Sequence, residues 1–317
     1  MSATPELGPV AYHRGEFVDA RAAHLPLTTQ GLHYGTGVFE GIRAHPLDSG
    51  DLAVFRLGDH LDRLLAGARL LRVDTGVTRE LATEIVVELL RRNGFTADVY
   101  LRPLAYKLGL QPGTRPGVGL TGVSGALSIV VSRLGDYQPP AGLRCLISSW
   151  RRPARSAIPV RAKITGGYVN NALALDEARC AGFDDAILLD ERGLVAEATT
   201  ANVFVVRDGL LVTPPATGDR LPGITRDTVL TLAADLGIDR VEAELDSTDL
   251  LQAEEVFLTG TGCGVSPVIE VAGRPVGAGE PGPVGTALRE TYDQTIRGRR
   301  PDTRGWLTTV ALAEALR

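Results

Sequence analysis

The chain has 317 residues, 44% of them hydrophobic and 5% aromatic, enough for one large or two ordinary cores packed mainly by aliphatics and alanine. Its formal net charge is -5, with acidic and basic residues interspersed and no long run of one sign, which argues against a nucleic-acid track. No apolar run reaches the roughly 18 residues of a membrane span, the start carries no secretory leader pattern, and three cysteines without a CxxC point to a reducing cytoplasm rather than a disulfide framework or structural zinc.

In chain order, residues 8–20 read as a hairpin, with Val10 and Tyr12 before an Arg14-Gly15 turn and Phe17 and Val18 after it. Residues 31–44 are Gly-rich with β-branched and aromatic residues between, as expected of a glycine-interrupted strand that another group approaches closely. Their GxGxxxG spacing opens no obvious helix, so a dinucleotide fingerprint is a weak reading. Leu57, Leu61, Leu64, Leu65, Ala68 and Leu71 predict a helix over about 58–72, and a second runs over about 79–92 and stops at Asn93-Gly94. Residues 97–107 and 126–133 read as strands, joined by a Gly- and Pro-rich loop over 109–125 whose length points to function.

Residues 135–142 read as a linker between a small N-terminal α/β domain (1–134) and a larger domain (143–317). Beyond it come a strand at 143–149, a helix over about 168–181 ended by Gly182, a strand at 186–190, a turn at Glu191-Arg-Gly193, and one strand through Glu197 to Val206. A helix within 220–237 follows, then a strand at 256–258 that runs into Thr259-Gly-Thr-Gly-Cys-Gly264. Strands and helices mix without strict βαβ alternation, so the class is α+β, or mixed α/β, in two domains.

Of the 33 Lys and Arg residues, only Lys107 and Lys163 are lysines. Arginine stays protonated and cannot serve as a nucleophile or form a Schiff base, which makes the amines the chemically versatile cations. Lys107 reads as ordinary surface. The Arg151-Arg152 and Arg299-Arg300 pairs read as solvated surface or as counterions to a small anion. Two segments read as anion cradles. Leu221-Pro-Gly-Ile-Thr225 precedes a helix, with Thr225 as N-cap and the Ile224 and Thr225 amides at its positive end. The glycines of 259–264 free backbone amides to form a nest. Glu197 lies amid small and apolar residues, where a buried anion needs a cationic partner; a pyridinium nitrogen is one. Two cradles and an isolated lysine together point to a phosphorylated cofactor.

The chain resembles the class IV (fold type IV) pyridoxal-phosphate aminotransferases, most closely the branched-chain amino acid aminotransferases. The blocks that carry the resemblance are His33-Tyr-Gly-Thr-Gly-Val-Phe-Glu-Gly-Ile-Arg43, Tyr100-Leu-Arg-Pro-Leu104, Lys163-Ile-Thr-Gly-Gly-Tyr168, Glu197 through Phe204, Leu221-Pro-Gly-Ile-Thr225 and Gly260-Thr-Gly-Cys263. They run in family order from about residue 8 to Gly305-Trp306. The resemblance implies a two-domain fold type IV enzyme that uses pyridoxal 5'-phosphate to move an amino group between Leu, Ile or Val and 2-oxoglutarate.

It also implies roles for residues. Lys163 would carry the cofactor and then act as general base at the substrate α-carbon. Glu197 would pair with the ring nitrogen, Tyr168 would hydrogen-bond the ring 3-oxygen and Leu221 would pack on the ring face. Arg63, Ile224, Thr225 and Thr261 would hold the phosphate. Tyr34, Phe39 and Tyr100 would wall an apolar substrate pocket, with Tyr137 helping to close it. Arg43 and Arg102 would handle the distal carboxylate of glutamate, and Thr261 with Gly262 the α-carboxylate. Small-molecule amino and 2-oxo acids are the implied partners, with a homodimer at least as the assembly. The segment after Glu197, the 259–264 turn and the 109–125 loop depart from the common family form. They leave open a class IV relative with other chemistry, an aminodeoxychorismate lyase or a transaminase for D-amino acids or unusual amines, against which the arginine and tyrosine pattern of the first domain argues.

Overall fold

The protein is described here by a computed structural model that covers residues 6–109, 117–135 and 141–312. The chain divides into two compact units. The first comprises Met1–Gly135, Ala162–Gly166 and Thr295–Arg317; the second comprises Asp136–Arg161 and Gly167–Gln294. One division falls near the expected linker, of which residues 136–140 lie outside the described set. The segments 162–166 and 295–317 group with the first unit instead of continuing the expected 143–317 domain. Hydrogen bonding gives the reason: Ile164 bridges Val38, and the strand Leu307–Val310 pairs antiparallel with Leu52–Phe55.

Among the described residues the first unit is built on a nine-stranded antiparallel sheet. Its main path runs Leu307–Val310, Leu52–Phe55, Ile42–Pro46, Val99–Lys107, Gly125–Arg133, Val10–His13 and Glu16–Asp19. The expected hairpin is the pair Val10–His13 and Glu16–Asp19; Arg14 and Gly15 both take positive φ, the turn geometry that matches strand twist. The expected helices form as Leu57–Leu70 and Arg79–Asn93. The first buries Leu57, Leu61, Leu64 and Ala68 along one stripe. The second is capped by the Thr78 hydroxyl, which accepts from the Leu81 amide at 3.3 Å, and ends on Gly94 in the left-handed region.

Residues 31–44 are not a single strand. Gln30–Tyr34 is a short helix, and Gly37–Phe39 and Ile42–Pro46 are separate strands. Gly35 (φ 64°) ends the helix, and a Cβ there would lie 2.5 Å from the Gly166 Cα, so the close approach is made by the backbone that follows Lys163.

Lys107 is not on the surface. It is 2% exposed, and its ammonium donates to the carbonyls of Arg72 and Val123 just beyond the Leu57–Leu70 helix and before the Gly125–Arg133 strand. Burial pushes its pKa down. A Lys107→Met variant keeps the apolar stem but leaves both carbonyls without their donor. It is expected to lose about 1–3 kcal/mol of stability, read as a lower midpoint in urea unfolding.

The second unit holds a nine-stranded mixed sheet among the described residues. Its path is Val195–Ala198, Asp185–Leu189, Leu143–Arg151, Gly264–Val271, Glu255–Gly260, Asn202–Arg207, Leu210–Thr213 and Arg240–Glu242. Val203, Val205, Leu258 and Val268 lie in its main core. The helix Tyr168–Cys180 sets Ala174 and Ala178 against Ala186 and Leu188 of the neighbouring strand, small residues that allow close helix–sheet approach. The strand expected through 197–206 is broken: Val195–Ala198 pairs with Asp185–Leu189, whereas Asn202–Arg207 pairs with Glu255–Gly260. Between them the Thr199 hydroxyl donates to Asp185 at 2.5 Å, and the Thr199 carbonyl accepts from Asn171. These tertiary bonds divert the chain at residues whose local preference is for a strand.

Candidate active site

In the first unit the Lys163 segment is fastened to the 35–39 backbone. The Lys163 carbonyl accepts from the Phe39 amide at 3.0 Å. The Thr165 hydroxyl donates to the Gly35 carbonyl at 2.8 Å, and the Gly166 amide donates to the same oxygen at 3.2 Å. The result sets the Lys163 amine 5.1 Å from the centre of the Phe39 ring. Arg102 stands over the same ring at 4.7 Å and over Tyr100 at 5.0 Å, and donates to the Tyr100 hydroxyl at 2.8 Å. A Cβ at Gly41 would lie 2.1 Å from that hydroxyl, so glycine makes room for the tyrosine. Two cations thus share an aromatic wall, a surface with an apolar body and polar handles.

Glu40, next to Phe39, is fully buried. It accepts from Arg63 Nε at 2.6 Å, Arg63 Nη2 at 2.9 Å and His60 Nδ1 at 2.8 Å. Burial alone pushes the carboxyl up, but the Arg63 guanidinium, with hydrogen bonds from His60 and Arg63, holds it well below the usual carboxylate range. Burial pushes His60 down, and the positive charges of Arg63 and Lys163 add to that. His60 is therefore neutral and donates Nδ1–H to an acceptor-only carboxylate, which fixes its tautomer. Glu40 and His60 together orient the planar fork of Arg63.

Arg43 lies directly across the sheet from Tyr100. Its Nη2 donates to the Leu134 carbonyl at 2.9 Å and lies 3.6 Å from Asp98. Asp98 also takes His45 at 2.9 Å and Arg297 at 3.1 Å. Burial pushes Asp98 up, yet these partners hold it below its ordinary value; burial pushes His45 down. Tyr34 is 49% exposed at the end of its short helix, and Tyr137 lies outside the described residues.

These directions give a pH prediction. All four groups have folded pKa values below their unfolded ones, so at acid pH the unfolded chain binds more protons. Their stability is fully present above about pH 6.5, falls first as the histidines' ordinary value is crossed, and falls further below about pH 4.5 as the carboxylates follow. Thermal midpoints measured from pH 7 to pH 4 should drop in that order; a flat profile contradicts the assignment.

In the second unit Glu197 is 4% exposed. Its Oε1 lies 2.7 Å from Arg152 Nε. Its Oε2 accepts from the Leu221 amide at 3.0 Å and from Asn202 Nδ2 at 3.4 Å. Asn202 also donates to the Leu221 carbonyl at 3.0 Å, which binds the Asn202–Arg207 strand to the 221–225 turn. Arg220, also buried, adds a positive charge that acts on Glu197. The N-cap of the helix Ile224–Asp235 is Gly223 rather than Thr225, which sits inside the first turn. A Cβ at Gly223 would meet Asn202 Oδ1 at 1.9 Å, so the asparagine occupies the space that a capping side chain needs. The Ile224 and Thr225 amides keep the place in the first turn expected of them. Thr261 and Gly262 lie in the tight turn between Glu255–Gly260 and Gly264–Val271, closed by the Gly260–Gly264 pair. Tyr168 opens its helix on Gly167, directly after the Lys163 segment.

Several residues here escaped the sequence reading. Arg152, read as surface or an anion's counterion, is 4% exposed and pairs with Glu197. Asn171 and Asn202 complete the network around it. Glu40 and His60 support Arg63; the i, i+3 spacing of His60 and Arg63 on one helix is the signal that could have found the histidine.

The profile of the family described as Amino-transferase class IV matches residues 37–271. The chain is 38% identical to a probable branched-chain-amino-acid aminotransferase of Aquifex aeolicus, over 95% of this chain and 96% of that one. It is 36% identical to the branched-chain-amino-acid aminotransferase of Escherichia coli K12, over 94% and 96%. Among solved structures, a T.th. branched-chain amino acid aminotransferase complexed with N-(5'-phosphopyridoxyl)-L-glutamate superposes with a TM-score of 0.90 at 39% identity, covering 96% of this chain and 99% of that one.

Proposed function

The chain belongs to the class IV aminotransferases, and we propose that it uses pyridoxal 5'-phosphate to move an amino group between branched-chain L-amino acids and 2-oxoglutarate. The observation that carries this reading is the Lys163 amine beside the Phe39 ring, with Arg102 and Tyr100 on the same wall. The residues present fit the cofactor. Glu197 is a buried carboxylate ringed by donors, which suits a protonated pyridine. Arg63 and the first turn at Ile224 and Thr225 supply the donors a phosphate needs.

The bound cofactor supplies an electron sink for the electrons released at the substrate α-carbon. The protein's own groups do the rest. Lys163 takes the α-proton and returns it, the task of a neutral amine held at one position. Glu197 would accept the ring N–H, Tyr168 would hydrogen-bond the ring 3-oxygen and Leu221 would cover a ring face. Arg63, Ile224, Thr225 and Thr261 would hold the phosphate. Phe39, Tyr100 and Tyr34 exclude water from an aliphatic side chain, while Arg102 and Arg43 receive the second carboxylate of glutamate. Thr261 and Gly262 take the α-carboxylate. One pocket then accepts both an apolar and an acidic side chain, in alternation.

A second copy of the chain completes the assembly in this reading. Leu25, Leu27, Leu32, Tyr34 and Val118 are all exposed on the first unit. Gln30 holds the 117–119 backbone next to them through bonds to Gly117 and Gly119. Apolar surface concentrated in this way marks an interaction face. Light scattering should give twice the monomer mass, and Leu27→Asp should lower it. Three free cysteines favour a reducing, cytoplasmic compartment.

The functional test is 2-oxoglutarate-dependent amino transfer from a donor panel. L-leucine, L-isoleucine and L-valine should be used and D-amino acids should not. Turnover of D-amino acids alone, or release of pyruvate from aminodeoxychorismate, contradicts the substrate assignment.

A further inference from the structure

We propose that Arg152 is a positioning residue that keeps Glu197 an ionised, fixed acceptor and so keeps the shared proton on the cofactor's ring nitrogen. This rests on the reading of Glu197 given above.

Arg152 directly follows the Leu143–Arg151 strand, and its amide donates to the Leu189 carbonyl at 2.8 Å, which fixes its backbone. The side chain is buried and held on two sides. Nε lies 2.7 Å from Glu197 Oε1, and Nη1 donates to Asn171 Oδ1 at 2.8 Å. Asn171 is fixed in turn by its bond to the Thr199 carbonyl, and Thr199 by its bond to Asp185. On the other side of the carboxylate the Leu221 amide and Asn202 take Oε2. Glu197 is thus held at both oxygens, by the Arg152 charge in ion-pair contact at Oε1 and by two N–H donors at Oε2. A buried carboxylate stripped of its cation takes up a proton to avoid carrying an unbalanced charge. A positive charge in contact with it lowers its basicity. When a carboxylate and a ring nitrogen share one proton, that bias leaves the proton on nitrogen, as a property of the pair. The cofactor is a better electron sink in that state. Arg152 touches no reacting atom in this scheme; it acts through Glu197.

The test uses the full-length protein loaded with pyridoxal phosphate labelled with ¹⁵N in the ring. Wild type should show the protonated-nitrogen resonance at pH 7, and Arg152→Lys, which retains the charge, should largely keep it. In Arg152→Met the ratio of protonated to neutral ring nitrogen should fall roughly tenfold or more, since an adjacent charge moves a carboxylate pKa by about 1–3 units. A wild-type resonance in Arg152→Met with cofactor bound overturns the proposal. If Arg152→Met does not fold, adding Glu197→Gln should restore folding, because it removes the orphaned charge; a double variant that still fails to fold also overturns it. Wild type that binds no cofactor overturns the functional reading first, and this proposal with it.

Discussion

Replacing Lys163 with alanine is expected to lower amino transfer by about 10²–10⁴-fold or more, the range lost when a positioned general base is removed. The fold should survive. The segment is held by backbone and Thr165 contacts to residues 35–39, none of which involves the lysine amine. The side chain is half-buried and rests on the Phe39 ring, so truncation removes a contact and a charge but opens no deep cavity. Circular dichroism and the thermal midpoint should therefore stay close to wild type while kcat collapses. An alanine variant with wild-type kcat removes the chemical centre of the account. A variant that unfolds shows that the amine is structural.

Glu40→Ala is expected to act on stability as strongly as Lys163→Ala acts on rate. Glu40 is fully buried and satisfies three N–H donors, two of them from one guanidinium. Removing one partner of a buried ion pair costs about 3–5 kcal/mol, because the remaining charge stays desolvated. The loss should appear as a lower midpoint in urea with little change in slope. Glu40→Gln should cost less, because its amide oxygen still accepts from Arg63 or His60. Cofactor affinity should fall in both variants, since Arg63 no longer has its fork fixed for the phosphate. Stability within about 1 kcal/mol of wild type in Glu40→Ala contradicts this account of the cluster.

What was legible in the sequence follows from where each signal resides. The helices Leu57–Leu70 and Arg79–Asn93 carry apolar residues at helical spacing, and Gly94 closes the second, so local information sufficed. The motif blocks fixed the family because they are ordered along the whole chain. The strand expected over 31–44 fails at residues 31–34 because glycine and aromatics mask a single helical turn; Gly35 ends it in the left-handed conformation usual at a helix end, and its contact with Gly166 leaves no room for a side chain. The break at residues 199–201 was invisible because Thr-Thr-Ala favours a strand locally, and Asp185 and Asn171, distant in sequence, impose the turn. Burial of cations was the least legible feature. Lys107 and Arg152 look like surface residues until the fold brings Arg72 and Val123 to one and Glu197 to the other. In the candidate site the motif blocks contain Glu40 and Asn202, but that these orient Arg63 and Glu197 emerges, like the roles of Arg152 and Asn171, from three-dimensional contacts.

The most direct test is the near-ultraviolet and visible absorbance of the purified protein, loaded with pyridoxal phosphate and titrated with L- and D-amino acids. The account predicts a visible cofactor band that L-leucine, L-isoleucine or L-valine bleaches and 2-oxoglutarate restores. A band untouched by these amino acids contradicts the substrate assignment. The absence of any band after cofactor is added contradicts the role of Lys163 and everything built on it.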